Sequence, residues 1–130
     1  MTQKAPPAVT ALQMTIRIVG LALIVLGVLV WPGTRDGLIP YHMILGIVLV
    51  VCLWLLAAQA ARNGASSGAV WLAVIWGALT AALGMTQERI FEGGSHWVIQ
   101  VLHLIVGIGA IGIAEQLGAT ARRAPIAARR

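Results

Sequence analysis

Trp97-Val98-Ile99-Gln100-Val101-Leu102-His103-Leu104-Ile105-Val106-Gly107-Ile108-Gly109-Ala110-Ile111-Gly112-Ile113-Ala114 contains no charged residue, and only Gln100 and His103 are polar. A helix on the surface of a soluble domain would show a polar face at a period of 3.6 residues, and none is present. Roughly 20 apolar residues cross the ~30 Å hydrocarbon layer of a bilayer, so this run predicts a membrane-spanning helix. It is too long and too poor in alternation for a barrel strand. Water is scarce at its centre, so the His103 imidazole needs a partner there.

Working outward, three further runs have the same character. The predicted spans are about 14–31, 41–61, 69–87 and 96–117. The 130 residues are 59% hydrophobic and 10% charged, too few charges to coat a soluble domain of this size. The fold class expected is all-α, a single membrane domain over 1–130 built as an integral membrane four-helix transmembrane bundle with antiparallel neighbours. Met1 to Thr10, with Pro6-Pro7, reads as a short irregular arm, and no signal peptide is expected. Pro32-Gly33 stops the first span, Pro40 suits the first turn of the second, and Ser95 suits the N-cap of the fourth. Residues 118–130, with Arg122, Arg123, Arg129 and Arg130, read as a basic cytoplasmic tail.

Seven of the nine basic residues (Lys4, Arg17, Arg62, Arg122, Arg123, Arg129 and Arg130) share the side of the two termini, against Arg35 and Arg89 opposite. The positive-inside rule therefore predicts a multi-pass protein of the inner or plasma membrane with both termini cytoplasmic. Trp31, Tyr41 and Trp97 fall at the outer interface and Trp71 at the inner one. Trp54 and Trp76 lie deeper, as packing residues. The net charge of +5 sits mainly in the tails without interleaved aromatics, so no nucleic-acid partner is expected. Cys52 is the sole cysteine and reads as a small packing residue.

His42 in Tyr41-His42-Met43-Ile44-Leu45-Gly46 and His103 in its own span are each followed four residues later by glycine. On a helix each glycine lies one turn from its histidine. Spans two and four run in the same direction. Counted from Arg62 and Arg122, the two histidines differ in depth by only a couple of ångströms. Counted from the outer ends, they agree only if the fourth helix projects outward by about two turns. Gly20 and Gly27 in the first span, and Gly77 and Gly84 in the third, are seven residues apart in each case. Together with the two His-x-x-x-Gly segments they make a weak repeat, consistent with a duplicated helical hairpin.

Two neutral imidazoles facing each other across a bundle can take both axial positions of a haem b iron. In that reading His42 and His103 are the metal ligands and bind the cofactor together with the glycines. Gly20, Gly27, Gly77 and Gly84 give the flat macrocycle room, Gly46 and Gly107 clear the space beside each ligand, and Arg35, Arg89 or Ser95 meets the propionates. His42 with Gly46 and His103 with Gly107, over roughly residues 14–117, resemble the core of the four-helix membrane b-type cytochromes, the cytochrome b561-like and haem A synthase-like bundles. The resemblance implies a haem-bearing electron-transfer protein, or a haem-bearing subunit of a larger membrane complex. The chain offers one histidine pair and no second pair on the inner side.

Other readings of the same residues stand beside this one. His42 also reads as an interfacial residue wet on one side, and His103 as hydrogen-bonded to Gln100, Gln87 or Thr86 with no cofactor. The protein is then a structural or assembly subunit that binds partner subunits, or further copies of itself, and lipid headgroups through its basic tail. A proton- or small-molecule-handling role for the two histidines is a third reading. His96 reads as a surface residue, although its spacing to His103 puts both on one helix face. Gly107-Ile108-Gly109-Ala110-Ile111-Gly112 matches the dinucleotide fingerprint literally, but it has no preceding strand and no βαβ unit. Glu88, Arg89 and Glu92 read as a solvated loop, and Glu115 is expected to pair with Arg62 or Arg122. No zinc spacing or nucleophile triad is present, so no enzyme is expected.

Overall fold

The computed structural model describes residues 6–91 and 93–123. Four helices follow one another: α1 (Pro7–Val30), α2 (Ile39–Arg62), α3 (Ser67–Thr86) and α4 (His96–Arg123). Short 3₁₀ turns, Asp36–Leu38, Gln87–Arg89 and Gly93–Ser95, lie in the two longer connections. All four helices are long and apolar enough to cross a membrane, and there is no strand among the described residues. The transmembrane four-helix architecture expected from the sequence is the one observed.

The helix boundaries follow local chemistry. Pro7 and Pro40 lie in the first turns of α1 and α2, where a missing N–H costs nothing. The Ser66 hydroxyl accepts the Ala69 N–H at 3.3 Å and caps α3. Between α2 and α3, Gly64 turns the chain at φ +84°, a conformation that suits glycine.

Two boundaries differ from expectation. The segment Pro7–Thr10 is helix rather than irregular arm, because Pro7 starts it and Val9 is fully buried. The tail is helical as far as Arg123, with Ala121 buried in the core. Lys4, Glu92, Arg129 and Arg130 lie outside the described residues. Ser95 belongs to the 3₁₀ turn that leads into α4.

α1 and α3 each pack on both α2 and α4. α2 and α4 also touch across the bundle diagonal, whereas α1 and α3 stay apart. The two ends of the bundle are built differently. Towards the end that holds the termini and the α2–α3 turn, Val9, Ile16, Leu53, Leu56, Ala57, Ala60, Ala110, Ala114, Leu117 and Ala121 close into a dense core. Towards the other end, which holds the two longer loops, the helices border a partly open cavity of about 560 Å³ lined by all four of them. Ile18, Leu21, Ile44, Ile47, Trp71, Ile75 and Ile105 are exposed on the outside. So large an apolar surface suits lipid rather than water.

A candidate two-histidine site between α2 and α4

His42 lies in the first turn of α2, and His103 lies one turn further from the start of α4. Their ring centroids are 6.1 Å apart and the ring planes are inclined by 55°. α4 therefore projects past α2 at the loop end by about one turn, rather than the two counted from the sequence. The difference arises because α2 starts at Ile39, ahead of the predicted boundary.

Each ring has a glycine of the preceding helix against it. A Cβ on Gly27 of α1 would lie 3.5 Å from His42 Cε1, and a Cβ on Gly84 of α3 would lie 3.3 Å from His103 Cε1. Larger side chains at either position would press on the imidazoles. The Nδ1 atoms of both histidines are buried and have no hydrogen-bond partner. Leaving a buried polar atom unpaired costs about 1–3 kcal/mol. The expected hydrogen bonds from His103 to Gln100, Gln87 or Thr86 do not form. The Thr86 hydroxyl instead donates to the Ala82 carbonyl of its own helix. No group of three or more metal-ligating side chains exists among the described residues, so the pair stands as a two-nitrogen donor set.

The glycines named from the sequence divide. Gly20, Gly27, Gly46, Gly84 and Gly107 line the cavity with His42 and His103. Gly46 and Gly107 leave open space where a Cβ would stand, while Gly20 sits against Ile111. Gly77 does not line the cavity. A Cβ there would come within 2.6 Å of Trp54 Nε1, and the Trp54 indole donates to the Val74 carbonyl at 3.2 Å. Gly109 serves Trp76 in the same way, and the Trp76 indole donates to the Val106 carbonyl at 2.9 Å, close to His103 along α4. The glycine spacing in α3 thus has two causes, one histidine and one tryptophan.

The cavity is graded along its length. Gly20, Leu23, Leu49 and Ile111 line its deep part, the two imidazoles come next, and Asp36, Gln87, Glu88, His96 and Gln100 line it towards the loops. Arg35, Arg89 and Ser95, expected to meet propionates, are not among its lining residues. His96, read from the sequence as a surface residue, is among them.

A second polar cluster lies in the seam between α1 and α4, nearer the terminal end. Arg17 donates to Glu115 twice, from Nε at 2.7 Å and from Nη2 at 2.8 Å. Gln13, which is 2% exposed, donates to Glu115 at 3.4 Å and accepts from Arg122. Glu115 therefore pairs with Arg17 and not with Arg62 or Arg122. The pairing is set by α1 and α4 lying side by side, which spacing along α4 cannot reveal.

The fold and its apolar exterior define a small multi-pass membrane protein. Scans against protein-family models, curated proteins and solved structures each find no match to this chain.

Proposed function

We propose that the chain binds one haem b between His42 and His103 and acts in electron transfer, alone or as a haem-bearing subunit of a larger membrane complex. The observation that carries this is the facing pair of imidazoles, each with a buried unpartnered nitrogen, in a cavity lined by glycines.

The ring centroids lie 6.1 Å apart, near enough for His42 and His103 together to hold one metal at imidazole–metal bonds of about 2 Å. The cavity volume of about 560 Å³ lies within the roughly 300–1,000 Å³ usual for small-molecule and cofactor sites. A bare ion needs only the two nitrogens, so a cavity of this size favours a large, flat, mostly apolar group. Gly27 and Gly84 keep the imidazoles free to approach it from either side. Haem iron held by two imidazoles supplies reversible one-electron transfer.

The distribution of Lys and Arg supports cytoplasmic termini in a cell membrane, and hence a haem close to the extracytoplasmic face. The protein works as a carrier rather than an enzyme in this reading.

Detergent-purified protein, expressed with haem supply, is expected to show a Soret band and the α-band of a six-coordinate haem b on reduction. Either His42→Ala or His103→Ala is expected to abolish the six-coordinate spectrum while leaving the helical circular dichroism intact. A colourless wild-type protein that also fails to take up added haemin overturns the proposal and leaves the cofactor-free subunit.

A further inference from the structure

We infer that His96, with Gln100 beside it, receives the carboxylate end of the bound group. This rests on the haem reading and gives the ligand a direction in its cavity.

His96, Gln100 and His103 follow one another on α4 at spacings of four and three residues, so they share a face of the helix. All three line the same cavity. His96 stands about 10 Å along the helix axis from His103, towards the loops. The part of the cavity beyond the histidine pair in the other direction is lined by Leu23, Leu49 and Ile111, with Thr80, whose hydroxyl already donates to the Trp76 carbonyl at 2.8 Å. A macrocycle with two carboxylates on one edge would bury them unpaired if it entered that way, at high cost. With the carboxylates towards the loops, they reach the polar end.

Among the described residues, the ionisable side chains lining that end are Asp36, Glu88 and His96. The two acids repel a carboxylate, and no lysine or arginine among the described residues lines the cavity. Among the described residues His96 is thus the ionisable lining side chain at this end that offers a carboxylate a hydrogen bond, because an imidazole keeps an N–H in either protonation state. The Gln100 amide adds a neutral donor one turn deeper.

Two probes separate this contact from simple occupancy: haemin, and haemin dimethyl ester, in which both carboxylates are blocked. Each is titrated into apo-protein in detergent, and its release to an excess of a haem-scavenging globin is followed at the Soret band. In the His96→Leu variant, which has no donor, haemin is expected to leave roughly 10- to 100-fold faster than from wild type, the scale of one lost hydrogen bond to a charged group. The dimethyl ester is expected to leave wild type and His96→Leu at equal rates. His96→Arg is expected to restore slow release of haemin, and Asp36→Asn with Glu88→Gln to slow it further. Equal haemin release from wild type and His96→Leu, or equal acceleration for both probes, overturns the role of His96 while the haem reading stands. Failure of wild type to bind either probe overturns both.

Discussion

At the scale of single residues, the space left by a glycine has a different meaning at each position. A Cβ at Gly27 would make ordinary contact with His42, whereas one at Gly84 would crowd His103. Replacing a helical glycine by alanine removes backbone freedom from the unfolded chain and favours the fold by about 0.5–1 kcal/mol. Gly27→Ala is therefore expected to stabilise by about that amount. Gly84→Ala is expected to gain less or nothing, because the His103 ring must give way. Unfolding in mixed micelles measures both, and an equal gain at the two sites would show that His103 yields freely. The two histidines were legible in the sequence because a polar side chain in an apolar span demands an explanation. Gly77 was not, since its partner is Trp54 on another helix and nothing in the spacing distinguishes it from Gly84.

At the scale of helices, the α1–α4 seam is closed by the Arg17–Glu115 pair and by buried Gln13. Both charges lie within predicted spans, where an unpaired charge is expensive. A double-mutant cycle on Arg17→Gln and Glu115→Gln is expected to give a favourable coupling between the two side chains. The double variant is expected to lose less stability than the sum of the singles. Purely additive losses would mean that the pair does not hold the seam. The sequence marks Glu115 as a candidate for pairing, but helix adjacency decides that its partner is Arg17. The third and fourth helices are joined further along by the Trp76–Val106 hydrogen bond, so α4 is tied to both of its adjacent neighbours.

At the scale of the whole molecule, the bundle is dense at one end and open at the other. The density comes from Leu and Ala at facing positions of α2 and α4. The opening comes from glycines and two imidazoles that leave the space between the helices unfilled. Which end faces the cytoplasm can be read from labelling. In a Cys52→Ala background, cysteine at exposed Thr34 is expected to react with a membrane-impermeant maleimide added to intact cells. Cysteine at exposed Ser67 is expected to react only after the membrane is opened. The reverse pattern would invert the topology and put the cavity at the cytoplasmic face.

The sequence by itself determined the four apolar helices, their approximate ends and the two histidines within them. Those follow from properties of short stretches: hydropathy over one bilayer thickness, proline at helix starts, and a polar group surrounded by apolar ones. Only the tertiary structure decided that the two rings lie 6.1 Å apart, that Glu115 meets Arg17, that Gly77 serves a tryptophan, and that His96 lines the cavity. Each of these depends on the rotation and axial offset of one helix against another. Those quantities are set by the packing of all four helices together, and no single run of residues encodes them.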